Sequence, residues 1–143
     1  MKKIKVFLDS NVFIAGVAST TGASAVVLRL TKTRVVDSYI SQQILDESER
    51  NLKKKLPKFL PYFYYALKHL PFTIVKDSIN IDKKLSKHFP KRSDQQIFET
   101  VQKLKPDYFL TLNRKHFHQD AIQKIANFKI KIPAQFLDEW ETL

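Results

Sequence analysis

The sequence predicts an α/β fold, a three-layer α/β/α arrangement with a central, mainly parallel sheet of four to five strands. Two observations carry this. Short apolar runs alternate along the chain with stretches whose apolar residues recur at helical spacing, the pattern of βαβ units with helices on both faces of a sheet. The chain has 143 residues, which suits one domain over 1–143 with a sizeable core and is too short for two.

Residues 4–8 read as a short buried strand. Asn11 to Ala18 begins a helix that breaks near Thr20-Thr21-Gly22. Ala23 to Leu30 resumes it, with Val26, Val27 and Leu30 at helical spacing. Val35 to Ile40 is a second strand. Ser41 caps the next helix, whose apolar face is Ile44, Leu45, Leu52 and Leu56. Pro57 and Pro61 bracket a break before a helix from Tyr62 to Leu70. Phe72 to Val75 is a third strand. Ile81, Leu85 and Phe89 mark a short amphipathic helix. Ser93 and Gln96 have the form of a capping box opening a helix with Ile97, Phe98, Val101 and Leu104 inward. Tyr108 to Leu112 is a fourth strand. A helix around Ile122 and Ile125, a short strand from Phe128 to Ile130 and a helix from Pro133 to Trp140 complete the chain.

Hydrophobic residues make up 43% and charged residues 27% of the chain, as in soluble globular proteins. Lys and Arg number 25 against 14 Asp and Glu, a net charge of +11. That surplus favours a polyanionic partner such as nucleic acid. There are no cysteines, so disulfides and thiolate metal sites are excluded. With only Gly16 and Gly22, neither common glycine-rich phosphate loop is present. No signal pattern opens the chain and no apolar run is long enough to span a bilayer. A cytoplasmic protein without membrane association is the expectation.

Three carboxylates fall where this fold brings segments together. Asp9 ends the first strand, Glu47 lies about two turns into the helix after the second, and Asp94 stands in the first turn of the helix near Ser93. Asn113, just past the fourth strand, is a neutral fourth candidate. Carboxylates sharing a site repel one another and shift each other's pKa. A divalent cation relieves that repulsion, and Mg²⁺ or Mn²⁺ takes oxygen ligands. Such a cation orients a phosphodiester and activates water. Each residue also has a plain structural reading: Asp9 as a helix cap, Glu47 on a solvated face, Asp94 facing a helix dipole, Asn113 in a turn.

Four segments together resemble the PIN domain, a metal-dependent nuclease fold of VapC-type toxin ribonucleases and RNA-processing nucleases. Val6-Phe7-Leu8-Asp9-Ser10-Asn11-Val12 is similar to the family's first acidic motif. Ile40-Ser41-Gln42-Gln43-Ile44-Leu45-Asp46-Glu47 resembles the second, whose register selects Glu47 over Asp46 and Glu49. Arg92-Ser93-Asp94-Gln95-Gln96-Ile97 resembles the third, and the run from Asp107 to Phe117 the fourth. The chain departs from the fullest pattern at Asn113, where many members have aspartate. The resemblance implies a PIN-like sandwich in which Asp9, Glu47 and Asp94 hold Mg²⁺ or Mn²⁺ and, with Asn113, form the catalytic set. It also implies RNA as substrate, a homodimer and, for a toxin, a small antitoxin protein that occludes the site.

Ser10, Asn11 and Thr111 are supporting candidates through hydroxyl or amide hydrogen bonds. Arg114 and Lys115 are candidates for phosphate contact at the rim. His116, beside Phe117, reads as packed. The basic run Lys53-Lys54-Lys55 and Lys58 leads into Phe59, Tyr62, Phe63, Tyr64 and Tyr65, which read as core and partner packing ahead of RNA stacking. Two rival functions stand beside the nuclease. One is an inactive PIN-like RNA-binding or scaffold module, which a neutral residue 113 favours. The other is a receiver-type protein with Asp9 as phosphoacceptor, in which Glu47 has no necessary role.

Overall fold

The structure, a computed structural model, describes residues 2–143. Five strands form one all-parallel sheet: β1 (Ile4–Leu8), β2 (Val36–Ser41), β3 (Thr73–Val75), β4 (Tyr108–Leu110) and β5 (Lys129–Lys131). Their spatial order is β3-β2-β1-β4-β5. The chain builds outward from β1 in one direction through β2 and β3. It then crosses back to place β4 and β5 on the other side. The order therefore reverses between β1 and β4, and the crevice at their carboxyl ends is the position where such sheets bind ligands.

Eight α-helices flank the sheet in the described residues: α1 (Ser10–Ala18), α2 (Ala23–Lys32), α3 (Gln42–Lys55), α4 (Leu60–His69), α5 (Arg92–Leu104), α6 (Arg114–Phe117), α7 (Asp120–Ile125) and α8 (Pro133–Trp140). β1 is the central strand, and Val6, Phe7 and Leu8 are fully buried, as expected of a strand covered on both faces. One aromatic cluster, Phe13 with Phe63 and Phe72, ties α1 to α4 and the segment leading to β3. A second runs from Phe7 through Phe109 to Phe117 and Phe128. It continues to Phe98 and Phe89. No single described helix is long and apolar enough to cross a membrane.

Four local expectations are corrected. Pro61 does not break α4. It occupies the first turn, where its missing N–H is no loss, after a 3-10 turn over Pro57–Phe59. The segment with Ile81, Leu85 and Phe89 forms a 3-10 helix over Lys83–His88. Ser93 is not the cap of α5; the helix starts at Arg92, with Lys91 as an N-cap lacking a side-chain bond. Gln96 Nε2 instead donates to the Ser78 carbonyl at 3.0 Å. Lastly, β4 stops at Leu110 and a further short helix, α6, begins soon after it at Arg114.

Gly16 is required by the packing of α1 on α2. A Cβ there would stand 2.5 Å from Leu28 Cδ1, 2.8 Å from Leu28 Cγ and 3.2 Å from the Ser24 carbonyl. Gly16→Ala is expected to cost about 1–3 kcal/mol through overpacking, read as a lower midpoint in urea with an unchanged slope.

Candidate functional site

Asp9 is fixed at the strand switch point by every polar group around it. Its N–H continues the sheet by donating to the Leu110 carbonyl at 3.0 Å. Its carboxylate caps α1, with Oδ1 accepting from Ser10 N–H at 2.9 Å. Oδ2 accepts from Thr111 Oγ1 at 2.6 Å and more weakly from Asn11 Nδ2 at 3.4 Å. Asn11 Oδ1 in turn accepts from Leu112 N–H at 3.0 Å. Asn11 thus links the two strand ends as Thr111 does. His118 Nε2 lies 3.1 Å from the Thr111 carbonyl. A carbonyl only accepts, so that nitrogen carries the proton.

Asp9 is only 3% exposed. Burial pushes its pKa up to about 6, against the opposing pull of the Thr111 and Ser10 hydrogen bonds; the nearby charges of Glu47 and Asp94 raise it further. Asp9 thus feels both other carboxylates although their sequence positions are far from its own.

Glu47 reaches this region from α3. Its acidic neighbours are engaged elsewhere: Asp46 accepts from Gln42 Nε2 at 2.9 Å. Glu49 accepts from Tyr64 Oη at 2.6 Å and pairs with Lys53 at 3.9 Å. Glu47 instead lines a groove of about 380 Å³ between α1 and α3, together with Ser10, Asn11, Asn51 and Lys55. The start of α3 is held by Asp77, whose two carboxylate oxygens each accept from Gln43 N–H at 3.1 Å. Gln43 Nε2 donates to the Ser93 carbonyl at 3.0 Å. That bond joins the helix bearing Glu47 to the helix bearing Asp94.

Asp94 is buried in the first turn of α5. Burial raises its pKa, while the charges of His116 and Lys91 oppose the rise. Its Oδ2 lies 2.7 Å from His116 Nδ1 but has no aligned hydrogen-bond donor. Asn113 Nδ2 approaches the same Nδ1 at 3.1 Å. Of these two contacts only the one with Asn113 has hydrogen-bond geometry, and the Asp94 carboxylate faces the ring at close range without an aligned bond. Asn113 is the N-cap of α6, its Oδ1 accepting from His116 N–H at 3.2 Å. Its own N–H donates to Thr111 Oγ1 at 3.0 Å. Arg114 and Lys115 are exposed on α6 beside this corner.

Among the described residues no three His, Asp or Glu side chains stand close enough to share a metal ion. The chemistry of the donor set nevertheless fits a hard cation. The acceptors are carboxylates. Asp9 is buried at a cost to its ionised form, and Asp94 holds a buried oxygen with no aligned donor. Three residues outside the sequence-based set belong to this region: Gln43, Asp77 and His116. The sequence carried no signal for the Asp77 cap, 34 positions from Gln43. For His116 the available signal was Asn113 three residues earlier, a residue type that caps helices and orients their first turn.

The sequence model of one protein family, described as PIN domain, matches residues 5–115. Two solved structures share the fold. One is the VapBC2 complex of Rickettsia felis bound to a DNA fragment from its promoter, with a TM-score of 0.65 at 16% identity over 89% of this chain and 97% of that one. The other is DNA-bound VapBC from Salmonella typhimurium, with a TM-score of 0.66 at 18% identity over 91% of this chain and 98% of that one. No curated protein matches the chain.

Proposed function

The chain belongs to the PIN domain family, and from that premise we propose that it is a metal-dependent ribonuclease hydrolysing phosphodiester bonds of RNA. The observation that carries the proposal is the buried Asp9 carboxylate at the β1/β4 switch point, within electrostatic reach of Glu47 and Asp94. A buried carboxylate that feels two others is costly to ionise without a cation to balance it.

Asp9, Glu47 and Asp94 are the residues that would hold Mg²⁺ or Mn²⁺. When bound, such an ion supplies an activated water and neutralises charge developing on the phosphate. The chain's own groups do the positioning. Thr111 Oγ1, Ser10 N–H and Asn11 Nδ2 fix the Asp9 carboxylate. His116 faces Asp94. Asn113 sets the start of α6 and so places His116. Arg114 and Lys115, exposed beside the acidic cluster, meet phosphate oxygens, and the net charge of +11 gathers the backbone. The test is cleavage of single-stranded RNA by purified protein with and without Mn²⁺. Loss of cleavage in both Asp9→Asn and Glu47→Gln supports the reading and argues against Asp9 as a phosphoacceptor. Protein that binds RNA but stays inert with Mn²⁺ favours a scaffold instead.

A second proposal rests on the likeness to chains of VapBC complexes: the protein is the toxin member of a pair, with a small antitoxin as partner; a homodimeric assembly is proposed from the family resemblance alone.

Asn113 leaves the cluster one negative charge short of a four-carboxylate site. Asn113→Asp is expected to tighten Mn²⁺ binding in calorimetric titration. Stability should change little, because aspartate caps a helix as well as asparagine does. Equal affinity in the two proteins would count against any ligand role for position 113.

A further inference from the structure

The aromatic run after the lysines is not all core. Phe63 and Ala66 turn inward from α4, whereas Tyr62 is 61% and Tyr65 58% exposed. Tyr62, Tyr65 and His69 stand at i, i+3 and i+7, which places them on one face of the helix. The Tyr65 and His69 rings pack at a tilt of 37° with centroids 4.2 Å apart. At the head of the helix Phe59 and Tyr62 are 6.0 Å apart, and Lys58 Nζ lies 5.2 Å over the Phe59 ring. Tyr64 is different, because its hydroxyl is bound to Glu49.

The segment that carries this face has charge of one sign, although Glu49 reaches α4 from α3 at Tyr64. From Asn51 to Lys76 the sequence holds six lysines and no Asp or Glu. The groove beside Glu47 is lined also by Lys55 and Leu56, which directly precede the turn that leads into α4. A polyanion leaving the acidic cluster along that groove therefore meets the basic, aromatic segment next. Exposed aromatics among lysines suit a single strand, whose phosphates pair with the ammonium groups and whose unstacked bases lie on the rings. An acidic or purely apolar partner would use only half of these features.

Resting on the ribonuclease reading of the acidic site, we propose that the exposed face of α4 is an accessory binding track for single-stranded RNA, with Tyr62 and Tyr65 as stacking platforms and Lys58 and Lys68 as phosphate contacts. The track holds the strand outside the reacting position and favours longer single strands over short ones.

Fluorescence anisotropy of a labelled oligouridine of about 12 nucleotides, in EDTA so that no cleavage occurs, reads this surface independently of catalysis. Tyr62→Ala and Tyr65→Ala are each expected to weaken binding by about 10-fold, and Tyr65→Phe to preserve it. Lys58→Gln and Lys68→Gln should each lower the slope of log affinity against log salt by about 0.7. Wild-type binding that is absent, or is unchanged by both alanine substitutions, overturns the track. So does a light-scattering shift from dimer to monomer in the tyrosine variants, which assigns the face to a second copy of the chain. Mn²⁺-dependent cleavage assayed in parallel separates the two readings. Tyrosine-dependent binding without cleavage retains the track and removes the nuclease; cleavage with unaltered binding by the variants does the reverse.

Discussion

Asp9→Asn is expected to lower RNA cleavage by about 10²–10³-fold, the scale on which removing a main electrostatic contributor acts, while raising the melting temperature of the metal-free protein. The two effects have one cause. In the fold Asp9 titrates near pH 6, up from 3.8, so keeping it ionised at neutral pH costs about 3 kcal/mol. The sign comes from proton uptake. The folded state holds the proton more tightly, so the contribution of Asp9 favours folding below about pH 4 and is lost as pH rises through about 6. Asparagine imitates the protonated carboxyl. Its oxygen still accepts from Ser10 N–H, and its amide can donate to Thr111 Oγ1. Allowing for imperfect geometry, a gain of about 1–2 kcal/mol remains, or roughly 3–6 °C in melting temperature. Calorimetry in EDTA from pH 4 to pH 8 measures it. Across pH 4–6 the wild type should lose stability relative to the variant, because the shifts of Asp94, His118 and Glu139 are common to both proteins and cancel in the difference. A variant less stable than wild type at pH 7 would show that the charge is not under strain.

Phe117→Ala is expected to cost about 3–5 kcal/mol, the usual range for deleting a buried ring. Its expected effect on the site is larger than that of an ordinary core change. Helix α6 has four residues, too few to stand without tertiary support. Phe117 is its one fully buried residue, set edge-on to Phe109 at 5.0 Å and near Phe89 at 6.4 Å. Asn113, Arg114 and His116 belong to the same short turn. Without the ring, His116 loses its fixed approach to Asp94 and the rim cations lose their place. Urea unfolding measures the first effect. Cleavage assayed at low temperature, where the variant remains folded, measures the second, with a fall of about 10-fold or more expected from misplacement alone. Full activity in folded variant protein would show that α6 is not part of the site.

Much of the fold was legible because periodicity survives in a single sequence. The strand ending at Leu8, the Ser41 cap and the terminal helix from Pro133 are all read from local residues, and Ser41 Oγ does accept from Ile44 N–H at 3.3 Å. What escaped depended on partners distant in the chain. The Ser93–Gln96 pair has capping form, yet Gln96 is drawn to the Ser78 carbonyl instead. The contact of His116 with Asp94 crosses from α6 to α5 and exists only after folding. Tyr62 and Tyr65 look like core beside Phe63, and only the helix phase separates them. The positions of Asp9, Glu47 and Asp94 were legible at the level of element and strand end. That they belong to one region was an expectation from the fold pattern and the family resemblance, and the structure places Glu47 and Asp94 within electrostatic reach of Asp9.

A crystal structure of the protein soaked with Mn²⁺ tests the shared acidic site most directly. An anomalous peak bounded by the carboxylates of Asp9, Glu47 and Asp94, with Asp94 drawn to it from His116, is the predicted result. Full-occupancy soaking with no peak there, and the three carboxylates directed away from a common centre, would contradict it.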